Sequence, residues 1–108
     1  MMMSVELLQR MNLFLRRADA MRAEYHDAHY AVLGKLPPLE VMDGQRYVRV
    51  VSRDSGNSRS VYCFIDKSNG DILKAATWKA PAKHKRSNLN DEDYGLSGVG
   101  QYGAKYLR

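Results

Sequence analysis

The chain has 108 residues, 44% of them hydrophobic and 27% charged, and its 17 Lys plus Arg against 12 Asp plus Glu leave a net charge of +5. That balance is ordinary for a soluble globular protein with one modest core, and it excludes wholesale disorder and room for a second domain. The single cysteine, Cys63, excludes an internal disulfide framework and a cysteine-rich zinc site.

The chain opens Met1-Met2-Met3-Ser4 and reaches Glu6 without a basic-then-apolar signal, and no uncharged apolar run is long enough for a bilayer. A cytoplasmic protein without membrane contact is therefore expected. Residues 5–33 read as one helix. Leu7, Met11, Phe14, Ala18, Met21, Tyr25, Ala28 and Val32 step by four and three residues in alternation, the spacing of a heptad seam. Leu8 and Leu15 widen the stripe, and Arg10, Arg16, Arg17, Asp19, Arg22, Glu24 and Asp27 form the opposite, solvated face. Ser4 suits the N-cap, Gly34 suits the residue past the end, and Pro37-Pro38 forbids continuation. At 1.5 Å per residue such a helix is roughly 40 Å long. A domain of this size has a radius of gyration of about 13 Å, so the stripe tends to outrun it. Either the helix bends over its own sheet, or part of the seam (Leu7, Met11, Phe14, Ala18, Met21, Tyr25) pairs with a second subunit, and the homo-oligomer is the favoured expectation.

The period then changes. Residues 45–53, 59–66 and 71–76 are β-branched or alternating, and they are joined by Asp54-Ser55-Gly56-Asn57-Ser58 and Lys67-Ser68-Asn69-Gly70, both dense in turn formers. Short polar connections predict antiparallel neighbours. Val61, Cys63 and Ile65 are expected to share the helix-facing side, which leaves Tyr62 and Phe64 exposed on the other. Residues 77–108 show no clear period and carry Gly95, Gly98, Gly100 and Gly103. The expected fold is a single α+β domain over 1–108, in which one long N-terminal amphipathic helix packs on a three-stranded antiparallel meander. An irregular Gly-rich C-terminal tail follows, ordered only if it docks.

Charge is segregated along the chain. Residues 46–90 carry ten basic against three acidic side chains, whereas 1–45 and 91–108 are each one negative charge from neutral. Such segregation is an electrostatic footprint for a polyanion. Arg49, Arg53, Arg59, Lys79, Lys83, Lys85 and Arg86 are the candidate phosphate contacts, and Trp78 is the candidate stacking residue.

Motifs for chemistry fail on context. Gly98-Val99-Gly100-Gln101-Tyr102-Gly103 matches the dinucleotide fingerprint by letter, yet five residues follow it, too few for a βαβ unit. His26 and His29 have the spacing of two ligands on one helical face, but nothing demands the remaining ligands, so no metal or other cofactor is expected. Asp66 to Asp71 resembles a calcium loop faintly, with Lys67 inside it and no glutamate at the twelfth position; Asn69-Gly70 reads instead as a hairpin turn. Cys63 sits in the middle of a strand and reads as an inert core thiol. No catalytic constellation stands out, and the protein is expected not to be an enzyme.

Tyr62-Cys63-Phe64-Ile65-Asp66, Asn69-Gly70-Asp71-Ile72-Leu73-Lys74 and Trp78-Lys79-Ala80-Pro81-Ala82-Lys83 resemble a segment found in small proteins encoded by tailed phages. The likeness covers about residues 46–93. It implies a viral origin and expression in a host cytoplasm, and it carries over no mechanism or site residue. The leading expectation is an accessory protein that binds DNA or RNA through its basic sheet-and-tail half. The alternative is a structural or interaction module, assembled through the helix or bound to a host or virion protein.

Overall fold

The computed structural model describes residues 2–106. Helix α1 runs Val5–Tyr30, and the Ser4 hydroxyl caps it by accepting from the Leu7 N–H at 3.2 Å. Residues Ala31–Leu33 tighten into one 3-10 turn, and Gly34 leaves the helix at φ +88°, a conformation that favours glycine. The longest dimension of the molecule, 41 Å, is about the length of this helix.

The buried stripe follows the predicted seam only halfway. Leu7, Met11, Phe14 and Ala18 are buried in the chain's own core, and Met21 packs half-buried against it. Beyond Ala18 the buried positions are Arg22 and His26, while Ala28 and Val32 are exposed. On a helix of 3.6 residues per turn a heptad row drifts by about 20° per repeat, so the seam slides off the contact. Meanwhile the segment leaving the helix covers the Arg22 side. Arg22 Nη1 donates to the Pro37 carbonyl at 3.3 Å and His26 Nε2 to the Gly34 carbonyl at 2.8 Å; the Leu39 N–H donates to Asp19 Oδ1 at 2.9 Å. The reading of Arg22 as solvated surface is thus corrected.

Five strands follow: β1 (Glu40–Asp43), β2 (Tyr47–Arg53), β3 (Arg59–Asp66), β4 (Asp71–Ala75) and β5 (Pro81–Asn88). They form one antiparallel sheet in the order β1-β2-β3-β4-β5. The α+β class stands, but the three-stranded meander is corrected to a five-stranded sheet. The three expected strands correspond to β2, β3 and β4. β1 was missed because it is four residues long and exposed throughout. β5 was missed because Pro-Ala-Lys-His-Lys-Arg-Ser-Asn carries no apolar alternation, and two register irregularities against β4 hide what period it has.

Residues 77–108 are likewise not an irregular tail over their described length. A second, two-stranded sheet pairs β6 (Val99–Gly100) with β7 (Gly103–Ala104). Leu89, Val99 and Ala104 enter the same core as Phe14 and Ile72. Arg10 fastens this segment to the helix by donating to the carbonyls of Leu89 and Asp91, and Arg10 and Arg17 both lie over the Tyr94 ring, at 4.4 and 4.8 Å. Helix and C-terminal segment together roof one face of the sheet.

One irregularity redirects a side chain. Val50 opposes Cys63 but Val51 opposes Val61, which leaves Tyr62 as the extra residue of a bulge. Tyr62 and Cys63 therefore both join the helix-side core, and Val61 passes to the other face. The Tyr62 hydroxyl donates to the Gly100 carbonyl at 2.6 Å. Gly103, at φ +133°, comes so close to the Tyr62 carbonyl that a Cβ would sit 2.7 Å from it. The expectation that Tyr62 is exposed is overturned by this bulge. Burial pushes both the Tyr62 phenol and the Cys63 thiol up, so neither ionises in the folded state near neutrality.

Candidate functional site

The face of the sheet away from α1 has an apolar centre of Val51, Val61, Phe64 and Leu73, set by the pairs Val51–Val61 and Phe64–Leu73. Phe64 was expected to be exposed there and is buried. Its cover comes from polar-headed neighbours. The Tyr47 ring meets it edge-on at 6.1 Å, and the Arg49 guanidinium lies 5.7 Å over it. The connection from β4 to β5 folds back as well, with Arg49 Nε donating to the Trp78 carbonyl at 2.8 Å. Thr77 shapes that connection, its hydroxyl oxygen accepting from the Lys79 and Ala80 N–H groups. The half-buried Trp78 ring then carries two guanidinium groups, Arg49 at 5.0 Å and Arg59 at 4.9 Å.

The predicted contact residues now separate by what holds them. Arg49 is tied to Trp78, Phe64 and, at 3.8 Å, the Met42 sulfur, so it positions the connection. Arg53 pairs with Glu40 at 2.5 Å and donates to Asn57 Oδ1 at 3.2 Å. Arg59 is exposed beside the indole. Lys79 lines a shallow groove with Arg46, Tyr47, Arg49 and Phe64. Lys85 opposes Leu73 on the open face, and Lys83 lies two residues before it on β5, where the pairing with β4 is irregular. Lys85 approaches Asp71 at 3.9 Å with most of its side chain in solvent. Among the described residues Lys79 and Lys83 have no ion-pair partner. Arg86 departs from the group. It lies on the helix side, donating to the Lys105 and His84 carbonyls.

The acidic groups at this end are already occupied. Burial pushes the Asp66 carboxyl up, but hydrogen bonds from the Ser68 hydroxyl (2.6 Å) and N–H (2.9 Å), together with Arg46, hold it below the usual carboxylate range. Asp43 pairs with Lys67 at 2.5 Å. The open face thus keeps exposed cations round an aromatic centre while its carboxylates are neutralised locally.

The other sequence candidates sit elsewhere. His26 is committed to Gly34, whereas His29 stacks on Tyr25 at 4.2 Å and bonds its carbonyl, so the two imidazoles have separate partners. The stretch from Gly98 to Gly103 is a 3-10 turn end and a hairpin, with no helix after it among the described residues. Leu7, Met11, Phe14 and Ala18 of the proposed oligomer seam face the chain's own sheet and C-terminal segment, and Met21 and Tyr25 are half-buried. No helix among the described residues is long and apolar enough to cross a membrane.

Sequence reasoning missed a cleft of about 400 Å³ on the helix side, between the end of α1, the β2–β3 hairpin and the turn joining β6 to β7. Arg22, Tyr25, His26, Tyr30, Ser52, Ser60, Gln101 and Tyr102 are among its lining residues. The readable signal was Ala18, Arg22 and His26, which continue the buried stripe in steps of four.

No curated protein and no solved structure matches the chain. A family model does match it over residues 5–102, and by that match the chain belongs to a family of unknown function, DUF7717.

Proposed function

We propose that this protein is a non-enzymatic accessory protein, of the kind tailed phages encode, that binds nucleic acid through the open face of its sheet. The observation that carries the reading is the set of basic side chains on one face, Arg49 and Arg59 over Trp78, Lys79 in the neighbouring groove and Lys85 opposite Leu73, which neither the helix nor the C-terminal segment covers. Cations in such an array gain affinity by releasing counterions from phosphates, without sequence preference. Arg59, exposed and 4.9 Å from the indole centroid, is held near the ring that Arg49 fixes in place, so its N–H groups meet a phosphate with little further ordering. A base stacks here on a guanidinium plane or by displacing one from the indole.

Fluorescence anisotropy with labelled single-stranded and duplex oligonucleotides, at low and near-physiological salt, tests this. The expected result is micromolar binding with a steep inverse salt dependence. Replacing Lys83 and Lys85 together by Ala lowers the slope of log K against log salt by about two for duplex DNA. Absence of binding at low salt overturns the proposal, and an unchanged slope in the double variant removes β5 from the contact surface.

A further inference from the structure

The helix-side cleft has the makings of a second site. Arg22 is 3% exposed, its guanidinium lies 5.8 Å over the Tyr62 ring, and its hydrogen bonds run from Nη1, to Asp19 Oδ1 at 2.9 Å and the Pro37 carbonyl. Its Nε and Nη2 have no acceptor among the described residues, yet no buried side-chain nitrogen or oxygen there lacks a partner. These two donors therefore keep some exposure, and the open space that Arg22 borders is this cleft. A guanidinium edge held in place from behind by a carboxylate and a carbonyl presents a planar, two-donor fork.

The rest of the lining says what that fork meets. Tyr25, Tyr30 and Tyr102 contribute rings, with Tyr102 edge-on to Tyr25 at 5.7 Å and its hydroxyl 3.4 Å from the Tyr25 hydroxyl. Ser52 and Ser60, bonded to each other at 3.0 Å, add hydroxyls from the β2–β3 hairpin, and Gln101 adds an amide. Asp19 already neutralises Arg22, so the fork itself suits a planar pair of neutral acceptors, while Arg53 and Arg59, which also line the cleft, add positive charge that a phosphate can meet. The volume is near the lower end for small-molecule pockets, enough for one flat ring system.

We propose that this cleft binds one nucleobase, stacked among Tyr25, Tyr30 and Tyr102, with the acceptor edge of the base on Arg22. Rings with two adjacent acceptors, such as the O6 and N7 edge of guanine, suit the fork best. The base is either that of a free nucleotide or one unstacked from a strand. This site lies at the hairpin end of the sheet, where Arg59 borders both it and the basic face, but its base contacts do not rest on that face's role.

Backbone amide shifts in NMR decide the matter, with the four nucleoside 5′-monophosphates, ribose 5-phosphate and a tetranucleotide as probes. The expected result is saturable shifts at Gln101, Tyr102 and Ser60 for nucleotides, led by GMP, with ribose 5-phosphate at least tenfold weaker. Saturation by GMP assigns the free nucleotide as ligand, and saturation by the tetranucleotide alone assigns the strand. Tyr102→Ala, on an exposed turn that the core does not need, weakens binding about tenfold. Arg22→Lys abolishes the preference for GMP. Replacing Lys83 and Lys85 by Ala leaves these shifts intact, which separates this site from the open face. Absence of saturation by every probe, equal binding of ribose 5-phosphate, or full affinity in Tyr102→Ala overturns the proposal.

Discussion

The two faces of the sheet are built from the same strands and solve burial in different ways. On the helix side Phe14, Val50, Cys63, Ile65, Ile72 and Leu89 pack side chain to side chain under α1 and the C-terminal segment. On the open side Val51, Phe64 and Leu73 are buried almost as well, but the cover includes arginines, a tyrosine and a folded-back connection. Long charged side chains can hide apolar surface while leaving their heads wet. One face therefore holds the fold, and the other stays dry beneath yet charged above, a surface suited to a partner.

The contrast has a measurable size. Phe14 is fully buried, and Phe14→Ala is expected to cost about 3–5 kcal/mol, a large share of the ~5–15 kcal/mol that stabilises a domain. Trp78→Ala, which removes a half-buried ring and two cation–π contacts, is expected to cost only about 1–2 kcal/mol. Denaturant melts of the two variants check the difference. Equal losses would break the distinction between a structural face and a displayable one.

A finer test lies at the β3–β4 turn. The Asp66 carboxyl is held below its unfolded value of about 3.9, so the stability it contributes is fully present above that pH. It disappears as pH falls through the lower, folded value. The stability difference between the wild-type protein and Asp66→Asn is expected to be constant from neutrality to about pH 5 and to shrink below about pH 4. A difference that grew on acidification would contradict the assignment. This effect is the smallest of the three, because Arg46 is largely exposed and shares the interaction with solvent.

What the sequence made legible follows from where its signals are local. The Ser4 cap, the first four seam residues and strands β2 to β4 each leave a short-range pattern, and each is found where that pattern puts it. The bulge at Tyr62 leaves none. It is a mismatch between two strands, and a period-two reading of β3 alone sends Tyr62 to the wrong face. β5 is polar because it is an edge strand whose open side carries lysines, so a search for alternating apolar residues passes over it. The C-terminal hairpin depends on tertiary contacts with Tyr62 and Lys74 that no local pattern announces. Among the site residues the cations of 79–85 were readable from charge segregation, whereas Arg22 looked like surface because the segment covering it lies about fifteen residues away.

Trp78 is the single tryptophan in the chain, which makes its emission a reporter of the open face alone. The most direct test of that face as the interface is a titration of intrinsic Trp78 fluorescence with a single-stranded oligonucleotide at low salt, repeated at near-physiological salt. A saturable change in emission that moves to higher concentration with salt, and weakens in the Lys83/Lys85 double alanine variant, is the predicted result. Emission that stays constant at low salt while anisotropy reports binding would place the contact elsewhere on the molecule and contradict the account.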